Sequence, residues 1–181
     1  DYASHAAQRS FNNMGWLYHQ ARDLDKAETA LRKSLLIREQ LYESPHPSIA
    51  STTNNLAGVL RSKGNLSEAE FYFKQALEQE RELHGNDHPR VTTAMSNLSL
   101  LHLDMARYKE AAKQYQEILE KNRQQLGPDH LYVGLALMRL ATALLEDGKS
   151  DEALSHIDEM LEIFRSKVGD RHRYVAIGLM V

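Results

Sequence analysis

The chain repeats itself with a period of 42 residues, and this period constrains the fold more than any other feature. Side chains of one type return at that interval in five columns: Ile49, Val91, Val133 and Val175; Met14, Leu56, Leu98 and Leu140; Ala27, Ala69, Ala111 and Ala153; Leu35, Leu77, Leu119 and Leu161; and His46, His88, His130 and His172. Such self-similarity is typical of stacked repeats, in which each unit buries its apolar face against its neighbours. We therefore predict one repeat domain over 1–181, with repeats at about 7–48, 49–90, 91–132 and 133–174 and a truncated fifth at 175–181.

Each unit is predicted to contain two helices joined by a tight turn. In the second unit, apolar side chains recur every three or four residues from Ile49 to Leu60, as on one face of a helix. Gly64 marks a helix end, because glycine adopts the left-handed conformation found there. Pro47 and Pro89 mark the starts of first helices, where a missing amide hydrogen costs nothing. Period-two alternation is missing, so we predict an all-α chain of about nine helices.

Two local features refine this prediction. Ser67 and Glu70 have the spacing of a capping box at the start of a second helix, and Leu66 and Phe71 flank it as a hydrophobic staple would. Small side chains also recur in two columns: Gly15, Ala57, Ser99 and Ala141, and the alanine column that contains Ala69. A column of small side chains indicates that two helices approach closely there.

Composition excludes several classes of function. A formal net charge of −3 gives no basic face for nucleic acid or for an anionic membrane. The chain has no cysteine, and no apolar run is long enough to span a bilayer. No grouping of residues indicates catalysis, so we expect no enzyme activity and no cofactor. The start at Asp1 and the stop within a helical pattern suggest a piece of a longer protein, and we expect a cytoplasmic location as the default.

The histidine column raises the question of a metal site. Zinc ligands must all lie about 2 Å from one ion. Successive loops of a repeat stack lie more than a helix diameter apart, so these histidines cannot converge on one ion. Loop packing or helix capping is the preferred interpretation, and no metal site is predicted.

The segment from Phe11 to Tyr18, followed by Ala27, resembles the tetratricopeptide repeat. Its usual period is 34 residues. The longer unit here, with Asn54 to Ala57 and Gly85 to Val91, is similar to the kinesin light chain type of repeat, which also occurs in bacterial proteins fused to kinases or signalling ATPases. The resemblance implies a right-handed superhelical solenoid of antiparallel helix pairs, whose concave groove, lined by the first helices, binds peptides or protein segments.

The resemblance also implies that asparagines just before the consensus leucine hold the ligand's backbone; the matching positions are Asn13, Asn55, Asn97 and Arg139. A carboxamide offers both a donor and an acceptor, so such a ladder suits an extended peptide of any sequence. Helical phase adds further residues to the same side: Arg9, Asn12, Trp16, His19, Asn54, Gly58, Arg61, Leu100 and Leu103. For Leu100, Leu103 and Trp16, plain packing is an equally good interpretation. The set suits a ligand with an acidic or polar portion and an apolar anchor.

The leading prediction is a non-enzymatic scaffold that binds a protein or peptide segment in this groove. The alternative is a regulatory or self-assembly segment of a larger signalling protein, fused to a kinase or an ATPase. In that case self-association would use the truncated C-terminal end, where Val175, Ile177, Leu179 and Met180 form an apolar stripe.

Overall fold

The computed structural model describes residues 2–168, and within this range it is entirely helical apart from turns and loops. The eight helices in this range are α1 (Tyr2–Gln20), α2 (Leu24–Leu41), α3 (Pro47–Ser62), α4 (Leu66–His84), α5 (Pro89–Asp104), α6 (Tyr108–Leu126), α7 (Leu131–Glu146) and α8 (Ser150–Val168). The predicted all-α class and the two helices of each repeat are confirmed. The predicted fifth repeat at 175–181 lies outside the described residues.

The chain forms two compact units, Asp1–Leu101 and His102–Val181. In the first unit α1 packs on α2, α2 on α3, and α3 on α4. In the second unit α6 packs on α7, and α7 on α8. Since the turns within these pairs are short, each pair is an antiparallel helical hairpin.

The turn between the first and second helix of each repeat has one residue with a left-handed backbone, at a spacing of 42 residues. These residues are Arg22 (φ 63°), Gly64 (φ 82°), Ala106 (φ 56°) and Gly148 (φ 80°). In the second repeat Asn65 N–H donates to Leu60 O at 2.9 Å and Gly64 N–H donates to Arg61 O at 3.0 Å, the two bonds of a Schellman motif. The same pair of bonds closes the other three turns. The helix end predicted at Gly64 is confirmed.

The predicted capping box at Ser67 is wrong. Helix α4 begins at Leu66, its N-cap is Asn65, and no side chain caps it. The Schellman turn leads directly into α4, so Ser67 already lies in the first turn of that helix. Phe71 is 62% exposed, so it does not act as a staple.

The start of a first helix is capped by a histidine. The ring Nδ1 of His46 accepts from Ser48 N–H at 3.1 Å, that of His88 from Arg90 N–H at 3.2 Å, and that of His130 from Tyr132 N–H at 3.2 Å. The capping interpretation is therefore confirmed for these three; His172 lies outside the described residues. The helix starts at Pro47 and Pro89 are confirmed as well.

Both small-residue columns are buried. Their members are Gly15, Ala57, Ser99 and Ala141 in the first helices, and Ala27, Ala69, Ala111 and Ala153 in the second helices. A Cβ added at Gly15 would lie 2.5 Å from Leu31 Cγ, closer than carbon atoms can pack. The predicted close approach of paired helices is confirmed at this position.

A buried polar column that the sequence analysis did not identify joins each second helix to the next first helix. Arg38, 6% exposed, donates to Gln8 Oε1 at 2.6 Å and also to Ser48 O and Thr52 Oγ1. Its equivalent Asn122 donates through Nδ2 to Tyr132 O at 3.1 Å. The other equivalent, Glu80, is 8% exposed and lies 3.9 Å from the guanidinium of Arg90. These side chains set the position at which the following helix begins.

In the first unit, ion pairs connect α2 to α4 and to the C-terminal end of α3. Lys63 Nζ donates to Glu28 Oε2 at 2.8 Å and to Asp25 Oδ1 at 2.6 Å, which ties the end of α3 to α2. Arg32 contacts Glu28 at 2.8 Å and Glu68 at 2.5 Å, which ties α2 to α4. The hydrogen bond from Lys63 holds the pKa of the Glu28 carboxyl below its ordinary value, with partial burial opposing and Arg32 assisting.

Candidate functional site

A depression of about 180 Å³ opens on the first unit among residues of the first helices, and we call it the Gly58 pocket. Its lining residues are Gly15, Trp16, His19, Leu31, Asn54, Asn55, Gly58, Val59, Arg61, Phe73 and Asn97. Seven of the thirteen predicted binding residues are among them: Trp16, His19, Asn54, Asn55, Gly58, Arg61 and Asn97. The structure therefore brings about half of the predicted residues to one place.

The bottom of the Gly58 pocket is apolar. Leu31, Val59 and Phe73 are 1%, 1% and 3% exposed, so only small parts of these side chains face the opening. Trp16 flanks the pocket and is 57% exposed, far more than the other apolar lining residues. A Cβ added at Gly58 would meet no atom within 4 Å, so the glycine faces open space.

The asparagines of the pocket are half-buried, and two of them pair across repeats. Asn97 Nδ2 donates to Asn54 Oδ1 at 2.9 Å, which links α5 to α3. This bond fixes both amide groups and leaves the Asn54 amide hydrogens and the Asn97 carbonyl oxygen available. Asn55 lies beside them and is half-buried. The pocket rim thus presents both donors and acceptors, as an extended backbone requires.

The charge around the pocket is basic. His19 Nε2 lies 3.0 Å from Ser62 Oγ, and Ser62 donates its own hydroxyl hydrogen to Gly58 O at 3.0 Å. This hydrogen bond between the two side chains fixes the His19 ring beside the end of α3. Arg61 lies on the same helix, and neither α1 nor α3 contains an aspartate or a glutamate. The first helices of this unit favour anionic or acceptor-rich ligands.

The remaining predicted residues lie elsewhere. Arg9 and Asn13 are exposed on α1 but do not line the pocket. Asn12 is half-buried and accepts from Thr52 Oγ1 at 3.3 Å. Leu100 belongs to the first unit and is half-buried. Leu103 and Arg139 belong to the second unit, where Leu103 is half-buried and Arg139 is exposed. A binding role for these residues stays a prediction.

The sequence analysis missed the bottom of the pocket. Leu31 and Phe73 belong to second helices, whereas the phase argument considered first helices alone. The signal that could have found them is Gly58 itself, since a helix without a side chain exposes what lies behind it.

The part of the chain that the structure describes contains neither a candidate metal-ion site nor a membrane-spanning helix. Within residues 2–168, no three His, Asp or Glu side chains are arranged to hold a metal ion. Nor does any helix in this range have the length and apolar character needed to cross a membrane. The residues proposed for self-association, beginning at Val175, lie outside the described range, so that interaction stays a prediction.

Comparison with known proteins agrees with the geometry. Two family models, both described as tetratricopeptide repeat, match residues 6–79 and 48–124 in the one case and 96–167 in the other. No curated protein matches the chain.

Three solved structures show the same fold at low sequence identity. The nearly identical TPR-like repeats from Podosopora anserina, assigned to a kinesin light chain, have a TM-score of 0.85 and 18% identity over 98% of this chain and 83% of that one. BtubC (BKLC) from P. vanneervenii has a TM-score of 0.81 and 21% identity over 91% of this chain and 65% of that one. A Rap protein complexed with Competence and Sporulation Factor has a TM-score of 0.77 and 16% identity, over 97% of this chain and 46% of the Rap protein. The predicted resemblance to the kinesin light chain type of repeat is confirmed.

Proposed function

Because the chain belongs to the tetratricopeptide repeat family, we propose that it is a non-catalytic scaffold that binds a segment of a partner protein. The partner segment lies across the first helices of the first unit, and the Gly58 pocket is the centre of the contact. The observation that carries this proposal is the convergence of Asn54, Asn55 and Asn97 beside an exposed tryptophan and an apolar depression.

The asparagines supply the affinity that does not depend on ligand sequence. An extended segment carries alternating N–H and C=O groups that must keep hydrogen-bond partners when water is displaced. The Asn97 carbonyl oxygen can accept from such a segment, and the Asn54 amide can donate to it. Since these two side chains already hold one another at 2.9 Å, little rotamer freedom is lost when the segment binds.

Charge and shape supply selectivity. Arg61 and His19 lie at the pocket, Arg9 is exposed on the same helix as His19, and no carboxylate is present on α1 or α3. A segment with aspartate or glutamate side chains is therefore attracted, and one with a basic run is disfavoured. The apolar bottom of the pocket favours a segment that also carries an apolar anchor.

The test uses an array of short synthetic peptides of varied charge, probed with the labelled chain. We expect the bound peptides to be enriched in acidic residues together with one large apolar residue. Removing two amides, as Asn55→Ala with Asn97→Ala, weakens binding of those peptides by roughly 10-fold, since each hydrogen bond contributes on the order of 1 kcal/mol. The matched control is Asn65→Ala, because Asn65 is exposed in a turn and its side chain makes no capping bond.

Circular dichroism of all three proteins checks that the helices are intact. Equal affinities of the double variant and the control, with unchanged helicity, would remove the asparagines from the binding site. An array on which basic and acidic peptides are captured alike would contradict the charge argument.

A further inference from the structure

The glycine at position 58 is not required by the fold. It lies inside α3, where glycine is less favourable than alanine because its backbone loses more conformational freedom. Its backbone is not left-handed, and a Cβ there would touch nothing. The contrast with Gly15 is direct, because a Cβ at Gly15 would collide with Leu31. Packing therefore explains Gly15 and leaves Gly58 unexplained.

The same column of the repeat carries large side chains in the adjacent units. One period before Gly58 stands Trp16, and one period after it stands Leu100. A side chain of ordinary size at position 58 would extend into the open space that the pocket residues surround. Its absence opens the depression and exposes the edges of Leu31 and Phe73 at its bottom.

We propose that the Gly58 pocket is a subsite for one large apolar side chain of the partner segment, and that Gly58 determines which side chains fit. This inference rests on the proposed function and adds the identity of the anchor. The pocket volume of about 180 Å³ is below the ~300–1,000 Å³ of sites for drug-sized ligands, so it suits one side chain rather than a free molecule.

The surroundings match such an occupant. The bottom is formed by Leu31, Val59 and Phe73, and Trp16 forms a side that an aromatic or leucine side chain can pack against. The amides of Asn54 and Asn97 lie at the rim, where the backbone that carries the anchor would pass. Because α1 and α3 lack carboxylates, an anionic segment can approach the pocket without repulsion from them.

The experiment fills the pocket from the protein side. Gly58→Leu places a side chain in the open space, and Gly58→Ala is the matched control that leaves most of the space. The probes are fluorescent peptides with a serine and glutamate background and a central residue that is alanine, leucine or phenylalanine. Fluorescence anisotropy measures binding, and thermal unfolding checks that neither variant is less stable than the natural chain.

The natural chain should bind the leucine and phenylalanine peptides at least roughly 10-fold more tightly than the alanine peptide, as burial of such a side chain implies. In Gly58→Leu this preference disappears, while affinity for the alanine peptide stays as in the natural chain. Gly58→Ala keeps most of the preference.

Three results would overturn the inference, and they are distinguishable. A preference that survives in Gly58→Leu shows that the anchor lies elsewhere. Equal weakening of all three peptides in Gly58→Leu shows that the segment crosses the pocket without inserting a side chain, and the proposed function still holds. Failure of the natural chain to bind any of the peptides contradicts the proposed function and the anchor pocket together.

Discussion

Gly15 is buried and Gly58 faces open space, and this pair in the first helices of the first unit allows a quantitative test of the packing described above. Replacing either Gly15 or Gly58 by alanine gains about 1 kcal/mol of helix propensity. At Gly58 nothing opposes this gain, so Gly58→Ala should raise the free energy of unfolding by about 1 kcal/mol. At Gly15 the new Cβ lies 2.5 Å from Cγ and 2.8 Å from Cδ2 of Leu31. Leu31 is 1% exposed and cannot move into solvent, so overpacking costs roughly 1–3 kcal/mol.

The net result for Gly15→Ala is a change between about zero and a loss of about 2 kcal/mol. The two variants should therefore differ by roughly 1–3 kcal/mol, with Gly58→Ala the more stable. Urea unfolding is the assay, followed by circular dichroism and by the fluorescence of Trp16, the single tryptophan of the chain and a probe of the first unit. If Gly15→Ala is as stable as Gly58→Ala, the close contact between α1 and α2 is not where the structure places it.

Three further predictions concern the turns, the buried cation and the ion pairs. Ala106→Gly should stabilise the second unit by about 1 kcal/mol, because glycine adopts the left-handed backbone of this turn without strain. Gly148→Ala at the equivalent turn should destabilise the unit by a similar amount. Thermal unfolding of both variants should therefore show a higher melting temperature for the first and a lower one for the second. Arg38→Ala should cost roughly 2–4 kcal/mol in urea unfolding, because it leaves buried acceptors without their donor. Glu28→Gln should cost about 0.5–1 kcal/mol at neutral pH. Because the folded pKa of Glu28 is lowered, its contribution is present above the ordinary carboxyl pKa and is lost in acid, so the difference from the natural chain should close as the pH falls.

The period of the sequence was sufficient to predict the regular part of the fold. Positions that recur with one kind of side chain, such as Ala27 and Ala69, are fully buried in each of the four repeats. The capping histidines were predictable for the same reason. Their identity repeats because each first helix starts with the same unpaired amide hydrogens.

The polar column at Arg38, Glu80 and Asn122 could not be predicted in this way. These three side chains differ in charge and shape, so the column has no sequence pattern, although all three are buried at the same place in the repeat. Their partners on the following helix also differ in kind: Arg38 and Asn122 donate to a backbone carbonyl, whereas Glu80 lies beside a guanidinium. A search for periodicity finds positions that keep one chemical type of side chain. The members of this column have in common only their buried position between two helices.

The candidate site was predictable in part for a related reason. The family resemblance indicated Asn55 and Asn97, helical phase added Arg61 on the same side, and the structure brings all three to one pocket. Helical phase gives the direction of a side chain around its own helix, but not what lies behind that helix. It therefore did not reveal that Phe73 of a second helix reaches the same pocket. It also did not predict the hydrogen bond between Asn54 and Asn97, which depends on the offset between neighbouring repeats.

These limits indicate where binding specificity arises in a repeat of this kind. A column that keeps one side-chain type maintains the packing between helices. A substitution at any position of such a column is therefore expected to alter the stability of its unit. The column of Trp16, Gly58 and Leu100 keeps no type, because its members need not make the same contact: Trp16 is 57% exposed, and Gly58 faces open space. Variation at such a position leaves the backbone in place and changes the surface alone.

The Gly58 pocket is therefore a local feature of one repeat. Exchanging the side chains at positions 16 and 58 should move the pocket to the neighbouring repeat. The free energy of unfolding should stay within about 1 kcal/mol of that of the natural chain. Loss of the fold in that exchange would show that this column also carries packing between repeats.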